Sequence, residues 1–314
     1  MKQRFPLVSI LIPTYNRSGF IRETLNSVLN QTYKNWECIV VDDHSSDDTW
    51  QILEEYICKD SRFKIYKRPL SRLKGGNASR NFAFEQSQGE YINWLDSDDI
   101  MDTDFLKKKV EILENDLNLD FVIGNIKKFS FEIANSSYFP NLDLSQKNID
   151  FPLAYIKGNY WIQTALPLFR RKFLFGFEKH FDENIMWGQE TEFFIRLLLQ
   201  NPNFEFCQDT FLFYREHNDS YTSVHKNFSI AEKYEMSYLS DKLIFSAFLN
   251  ADRINKESIG FFKNVFNDRL LFLSFNSKNF WDLLWFGTKY NLFKGRFQGI
   301  KIVGIKILKL VKII

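Results

Sequence analysis

The stretch Gly89-Glu-Tyr-Ile-Asn-Trp-Leu-Asp-Ser-Asp-Asp99 joins an apolar run to three closely spaced carboxylates. Residues 91–95 have the length and composition of a buried strand, and Asp96, Asp98 and Asp99 follow them directly. Carboxylates this close repel one another, so a fold keeps them at a strand end chiefly when a cation or hydrogen-bond donors neutralise them. The alternative interpretation is a solvated acidic turn that caps the next helix.

Upstream of this stretch, strand and helix signals alternate. Apolar runs at 7–12, 38–41 and 63–66 predict strands, and a helix is expected at about 78–86. Between the strands, apolar residues recur at helical spacing, as in Ile21, Leu25, Val28 and Leu29 and again in Trp50, Leu53, Tyr56 and Ile57. This order predicts an α/β fold with a Rossmann-like, mainly parallel sheet flanked by helices.

Polar clusters follow three of the predicted strands. They are Pro13-Thr-Tyr-Asn16, Asp42-Asp43 and the acidic cluster at 96–99. In parallel sheets the carboxyl ends of the strands meet at one edge, and ligands bind there. We therefore expect the three clusters to converge on one site.

The chain after residue 102 divides into two regions. A helix is expected near Glu190, and the irregular polar stretch at 135–150 reads as a loop over the site. From about residue 229 the sequence is helical and aromatic. We predict one domain at 1–228, with an N-terminal half at 1–100 and a second half at 101–228, and a helical C-terminal appendage at 229–314.

The distribution of charge and the cysteine spacing indicate which classes of protein and which compartment the sequence fits. The formal charge is +2, but residues 283–314 hold seven Lys or Arg and no acid, so the basic character is concentrated in the tail. A nucleic-acid-binding protein is not expected, because the basic residues do not gather around the predicted site. Cys38, Cys58 and Cys207 form no CxxC pair, which fits a reducing cytoplasm.

The end of the sequence reads as a basic amphipathic helix. One face of the helical wheel carries lysines and the other is apolar, the two sets being Lys301, Lys306, Lys309 and Lys312 against Ile300, Val303, Ile307, Leu310, Val311 and Ile314. This pattern predicts contact with an anionic membrane surface, and so a peripheral position on the inner face of the cytoplasmic membrane. A helix that packs on the core or forms an oligomer is the alternative.

Three motifs precede the acidic cluster in a recognisable order. They are Pro13-Thr-Tyr-Asn-Arg17, Val41-Asp-Asp43 and Gly89-Glu-Tyr-Ile92. In this order and spacing, over roughly residues 5–225, the chain resembles the family 2 inverting glycosyltransferases of the GT-A fold. The resemblance implies transfer of a hexose or N-acetylhexosamine from a nucleotide diphosphate donor to an acceptor hydroxyl, in cell-surface polysaccharide synthesis. The half at 1–100 would bind the donor, and the half at 101–228 would face a glycan or lipid-linked glycan acceptor.

The resemblance also assigns site residues. Donor binding falls to Pro13, Thr14, Tyr15, Asn16, Asp42, Asp43, Asn77, Arg80, Asp96 and Ser97. An Asp carboxylate accepts the N3–H of uracil, which favours a UDP-sugar. Mn²⁺ or Mg²⁺ is expected on Asp98, with His217 as a further ligand and Asp99 as a weaker candidate.

The expected catalytic base departs from the family pattern. Family members typically carry a Glu-Asp pair at the start of a helix, whereas this chain has Gln189-Glu190. Glu190 is the predicted base and Glu192 the second choice. The departure also motivates a different hypothesis, a non-catalytic nucleotide-sugar-binding or membrane-associated scaffold. A nucleotidyltransferase is a weaker alternative, because no Gly-rich, Arg-containing loop follows the first strand.

Overall fold

The structure is a computed structural model, and it describes residues 5–130, 132–139, 149–218, 228–272 and 278–293. The strands are β1 Val8–Thr14, β2 Trp36–Asp42, β3 Phe63–Lys67, β4 Tyr91–Trp94, β5 Ile100–Met101, β6 Phe121–Phe129, β7 Ser137–Phe139, β8 Pro167–Arg170 and β9 Phe204–Arg215. The helices are α1 Ile21–Leu29, α2 Thr49–Lys59, α3 Gly76–Gln86, α4 Phe105–Asn115, α5 Phe151–Ile156, α6 Arg171–Leu174, α7 Gln189–Leu198, α8 Ile230–Asn250, α9 Lys256–Phe272 and α10 Lys278–Lys289.

The chain forms two compact units. The first comprises Met1–Asn184 and Gln200–Ser220, and the second comprises Ile185–Leu199 and Tyr221–Ile314. Helix α7 belongs to the second unit, since it packs on α8 and buries Phe193, Phe194 and neighbouring apolar side chains. From the sequence, this helix is grouped with the residues before 228, because its amphipathic pattern does not say which partner it covers. The bounds 1–228 and 229–314 stay a prediction.

The first unit is built on one mixed sheet. Among the described strands the order is β3-β2-β1-β4-β8-β6-β9-β5, and β7 pairs with β6. The block β3-β2-β1-β4 is parallel, as the sequence predicts. Strand β8 then runs antiparallel to both β4 and β6, and β9 is parallel to β6. Strands β1, β2, β4, β6 and β9 therefore all end at the same edge of the sheet, which we call the carboxyl edge.

The parallel block forms the core of the first unit. Every residue of β1 and β2 is buried, which is expected for strands covered by helices on both faces. The apolar runs at 7–12 and 38–41 therefore carry no alternation of polar and apolar residues. The buried strands fix the position of the turns that follow them at the carboxyl edge.

The second unit has an aromatic core. The ring of Phe245 lies 5.0 Å from Phe262, 6.0 Å from Phe266, 5.6 Å from Phe286 and 5.3 Å from Tyr290, measured between centroids. A capping box begins α8, in which Ser229 and Glu232 satisfy the first backbone N–H groups. No helix in the described part of the chain is both long and apolar enough to span a bilayer. The predicted basic tail at 300–314 lies outside the described residues.

Lys109 on α4 is fully buried in the first unit. Its Nζ donates a hydrogen bond to the backbone oxygen of Leu166 and lies 3.2 Å from the ring centroid of Phe105. Burial lowers the pKa of Lys109 well below its ordinary value. At pH values between the pKa of Lys109 in the folded protein and its pKa in the unfolded chain, the unfolded chain binds more protons than the folded one. The contribution of Lys109 therefore makes the free energy of unfolding rise with pH.

We expect Lys109→Met to remove this contribution. Between pH 7 and 9 the wild-type free energy of unfolding should rise relative to that of the variant, by up to about 1.4 kcal/mol per pH unit. Urea unfolding at both pH values measures the difference. Lys107→Met, at an exposed position on the same helix, is the matched control and should follow the wild type. Equal pH dependence in wild type and Lys109→Met would show that Lys109 is protonated in the folded protein.

Candidate active site

The three carboxylates of the acidic cluster lie in the turn after β4, and each has different partners. Asp96 accepts hydrogen bonds from Arg80 Nη2 at 2.7 Å and from Gln163 Nε2 at 2.8 Å. Its side chain keeps 26% of its surface exposed. Asp96 is therefore held on two sides and remains accessible to a ligand.

Asp98 lies between a guanidinium group and an imidazole group. Its Oδ2 atom accepts a hydrogen bond from Arg17 Nε at 3.2 Å and lies 3.1 Å from His217 Nε2. Burial alone would raise the pKa of Asp98, but the hydrogen bond from His217 and the charge of Arg17 outweigh it and hold the pKa below its ordinary value. Asp98 is thus a carboxylate at neutral pH, as a hard cation requires.

Asp99 is buried beneath the turn. It accepts hydrogen bonds from the Arg215 backbone N–H at 3.0 Å and from Gln163 Nε2 at 3.3 Å. Burial, together with the charges of Asp98 and Asp96, raises the pKa of Asp99 well above its ordinary value. This environment favours a neutral carboxyl that holds the turn, which makes Asp99 a poorer candidate for a metal ligand than Asp98.

The end of β2 carries the two acids predicted to bind the donor. One oxygen of Asp43 accepts from Arg68 Nε, and the other accepts from the Gly75 N–H at 2.8 Å. The carboxylate of Asp42 accepts from the backbone and hydroxyl of Ser45. Asp42 therefore holds the following loop, whereas Asp43 joins that loop to the start of α3.

The end of β1 lies beside these acids. Pro13 and Thr14 are the last residues of β1, and the Asp43 N–H donates to the Thr14 backbone oxygen at 2.8 Å. Asn16, at a φ of 49°, accepts from the Ser46 N–H at 2.8 Å. Tyr15 is 40% exposed, and Lys74 Nζ lies 4.4 Å from its ring centroid. An exposed aromatic face directly after β1 suits a nucleobase.

Helix α3 contributes Asn77 and Arg80. The Asn77 amide donates to the backbone oxygen of Asp182 at 2.8 Å, so it anchors the segment at 181–183. The Arg80 guanidinium bonds Asp96 and lies 5.4 Å from the ring centroid of Phe181. Ser97 is buried within the acidic turn. Arg80 is thus the donor-site residue of this helix best placed to reach a phosphate.

Several buried polar atoms of the first unit have no hydrogen-bond partner among the described residues. They are Thr14 Oγ1, Thr24 Oγ1, Trp36 Nε1, Ser79 Oγ, Arg80 Nε, Asn93 Oδ1 and His217 Nδ1. A buried polar atom without a partner costs free energy, and such atoms are uncommon in folded proteins. Five of the seven belong to β1, α3 or β4 or to the chain after β9, which are the elements that border the acidic cluster, whereas Thr24 lies on α1 and Trp36 begins β2. Unpartnered polar atoms beside the cluster are expected of a site that binds a polar ligand.

A divalent ion fits this site only with ligands from outside the protein. The described residues contain no group of three His, Cys, Asp or Glu side chains arranged to hold a metal. Asp98 Oδ2 and His217 Nε2 lie 3.1 Å apart, so a carboxylate and an imidazole could both be ligands of a bound ion. Two protein ligands, completed by phosphate oxygens and water, are a usual arrangement for Mg²⁺ in nucleotide sites.

Helix α7 of the second unit carries both candidate bases in its first turn. Glu192 is buried, and its two oxygens accept from Arg196 Nε at 2.5 Å and Arg196 Nη2 at 3.0 Å. Glu190 is partly exposed. Because its carboxylate is held in an ion pair at a buried position, Glu192 is a poor candidate for a proton acceptor.

Sequence reasoning missed Gln163 and assigned no role to Arg215. Gln163 bridges Asp96 and Asp99, and Arg215 Nε donates to the Asp98 backbone oxygen at 3.0 Å. Both approach the acidic cluster from segments more than 60 residues away in sequence. Gln163 lies in no motif. Arg215 lies in the stretch Tyr214-Arg-Glu-His217, which resembles the closing segment of the family, and this resemblance is the signal that points to it.

Solved structures with this fold include two nucleotide-sugar complexes. The structure of residues 1–349 of S. aureus TarS in complex with UDP-GlcNAc aligns with a TM-score of 0.63 and 22% identity, covering 95% of this chain and 79% of that chain. The mannosyltransferase PcManGT from Pyrobaculum calidifontis, in complex with GDP-Man and Mn²⁺, aligns with a TM-score of 0.56 and 15% identity, covering 98% of this chain and 86% of that one. At these identities the likeness establishes the GT-A fold.

Sequence comparison gives the family. The chain is 42% identical over 166 residues to WfaP of Escherichia coli, a UDP-Glc:alpha-D-GlcNAc-diphosphoundecaprenol beta-1,3-glucosyltransferase. The alignment covers 46% of this chain and 64% of that protein. The chain spans less than two thirds of the length of the first curated relatives that it matches. The family model "Glycosyl transferase family 2" matches residues 9–220. This protein belongs to glycosyl transferase family 2.

Proposed function

We propose that this protein transfers a sugar from a UDP-linked donor to an acceptor hydroxyl, with inversion at the anomeric carbon. The observation that carries the proposal is the pairing of Asp98 and His217 at the carboxyl edge, at 3.1 Å and beside the Arg80–Asp96 ion pair. A carboxylate with a depressed pKa, an imidazole and a guanidinium together suit a diphosphate bound through a cation.

The uridine would bind at the ends of β1 and β2. Asp43 keeps acceptor capacity on its carboxylate oxygens, which suits the N3–H of uracil. Tyr15 presents the adjacent aromatic face, and Thr14 Oγ1 is a buried hydroxyl without a partner among the described residues. The UDP-glucose named for WfaP and the UDP-GlcNAc bound to TarS support a uridine donor here.

Asp98 and His217 would hold the divalent ion. When bound, such an ion would supply positive charge to the departing diphosphate. An imidazole is a softer ligand than Mg²⁺ prefers, so Mn²⁺ is the favoured ion, in keeping with the Mn²⁺ bound to PcManGT. Arg80 would bind a phosphate oxygen or a sugar hydroxyl through its planar guanidinium.

Glu190 would accept the proton of the acceptor hydroxyl. Inverting transfer needs a base positioned on the attacking hydroxyl, on the side opposite the leaving diphosphate. Glu190 is partly exposed, whereas Glu192 is buried and forms an ion pair with Arg196. Gln189 then replaces the acid that family members carry before the base.

The acceptor would be a glycan, and the name of WfaP supports a lipid diphosphate-linked sugar in cell-surface polysaccharide synthesis. The seven basic residues at 283–314 favour binding of the protein to the inner face of an anionic membrane. Membrane contact, cytoplasmic location and oligomer formation stay predictions for this chain.

Release of UDP from UDP-sugars, measured with the full chain, tests the proposal. We expect donor turnover that requires Mn²⁺ or Mg²⁺ and is lost on chelation. Two matched acceptor probes are GlcNAc α-linked to a diphosphate with an alkyl ester, and alkyl α-GlcNAc without the diphosphate. Donor binding without UDP release in the presence of both probes would favour the scaffold hypothesis. Release of pyrophosphate from a nucleoside triphosphate and a sugar phosphate would favour a nucleotidyltransferase.

A further inference from the structure

An aromatic and cationic cluster lies at the carboxyl edge beyond the acidic turn. Lys128 and Tyr214 are register partners near the carboxyl ends of β6 and β9. The Trp161 ring centroid lies 5.7 Å from that of Tyr214, at an interplanar angle of 81°. Lys128 Nζ lies 5.7 Å from the Trp161 centroid and 6.0 Å from the Tyr214 centroid. All three side chains are half-buried.

This cluster is joined to the acidic turn by two short connections. Trp161 lies two residues before Gln163, whose amide donates a hydrogen bond to Asp96 at 2.8 Å. Tyr214 directly precedes Arg215, whose backbone N–H bonds Asp99 at 3.0 Å. The aromatic pair therefore borders the acidic turn on the side away from the uridine end at β1 and β2. A second substrate must approach the donor sugar from such a side.

The chemistry of the cluster suits a carbohydrate that carries a negative charge. The C–H face of a sugar ring packs on half-buried aromatic rings, and Trp and Tyr supply this surface with one polar handle each. Lys128 adds a cation held within cation–π range of both rings. Its acidic neighbour Glu216 lies 3.7 Å away with 54% of its side chain exposed, so solvent screens that pair.

We propose that Trp161, Tyr214 and Lys128 form the acceptor site, which binds a sugar ring on the two aromatic side chains and an anionic group linked to that sugar at Lys128. This inference rests on the proposed function, since it assigns the second substrate of the same reaction. It predicts that the three side chains set the affinity for the acceptor and leave donor binding unchanged.

Steady-state kinetics with the two acceptor probes tests the assignment in the full chain. We expect Trp161→Ala and Tyr214→Ala to raise the KM of both probes about tenfold, whereas Lys128→Met raises the KM of the diphosphate probe alone. The rate of acceptor-independent UDP release and the Kd of UDP should stay within about twofold of wild type. Trp161→Phe and Tyr214→Phe keep an aromatic face and should recover most of the affinity, which separates stacking from loss of folding.

The neighbouring residues provide matched controls. Lys127 lies 4.0 Å from the Phe211 ring centroid and 5.9 Å from that of Phe213, in the same two strands. Because side chains alternate along a strand, Lys127 and Phe213 point away from Lys128 and Tyr214. Lys127→Met and Phe213→Ala should therefore leave the KM of both probes unchanged.

The outcomes separate the two proposals. A wild-type protein that hydrolyses the donor but binds neither probe, by ligand-observed NMR in the presence of UDP, would overturn the acceptor site and leave the proposed function standing. Unchanged acceptor KM values in the Trp161, Tyr214 and Lys128 variants would do the same. Absence of both donor binding and UDP release in the wild type would overturn the proposed function and the acceptor site with it.

Discussion

Asp98→Asn is expected to reduce turnover by roughly a thousandfold, because the side chain keeps its size and loses the charge that binds the cation. In the wild type, Asp98 Oδ2 faces both Arg17 and His217, and no other carboxylate in the described residues contacts His217. Asn presents a neutral oxygen, so the affinity for Mn²⁺ should fall with the rate. UDP release at saturating Mn²⁺ and Mn²⁺ binding by calorimetry measure the two effects.

Asp209→Asn is the matched control for this substitution. Asp209 is an exposed acid of the same unit, on β9, and it should keep wild-type turnover and Mn²⁺ affinity. The thermal transitions of all three proteins establish that they are folded. Full turnover in Asp98→Asn would show that the cation binds elsewhere or that the reaction proceeds without one.

Glu190→Gln is expected to lower kcat by about 10²–10⁴-fold with little change in the Kd of UDP, because the amide cannot accept the acceptor proton. Glu190→Asp should retain part of the activity through its shorter carboxylate. In the wild type the pH–rate profile should fall on the acid side as the base becomes protonated, and this limb should be absent from the residual activity of Glu190→Gln.

The same substitution at Glu192 should act on stability instead. Glu192→Gln removes the charge that pairs with Arg196 at the buried position of Glu192, so the free energy of unfolding should fall by roughly 1–3 kcal/mol. At temperatures where the variant is folded, kcat should stay within severalfold of wild type. Loss of turnover in Glu192→Gln together with normal turnover in Glu190→Gln would reverse the assignment of the base.

The family resemblance made from motifs was confirmed, as were the α/β fold and the helical C-terminal region. The assignments of individual site residues remain predictions that the geometry now sharpens. Asp42 and Asn16 bond the loop at 44–46, and Asn77 bonds the backbone at 182, so these three side chains hold the site in shape. Asp43, Arg80, Asp96 and Asp98 remain the better candidates for contact with the donor.

What the sequence determined by itself is the parallel block and the edge at which its polar residues collect. Strand and helix periodicities are local properties. A helix between two strands of one sheet joins them in parallel, so the turns after β1, β2 and β4 meet at one edge. That rule is enough to bring Thr14, Asp43 and Asp98 to the same part of the molecule.

Only the tertiary structure decided how the acidic turn is surrounded. Strand β8 lies between β4 and β6, and β9 returns beside β6, which brings Gln163 and Arg215 against the three carboxylates. His217 reaches Asp98 across 119 residues of sequence. Contacts of this kind depend on strand pairing between distant segments, and the local pattern of apolar and polar residues does not encode which distant strand a segment will join.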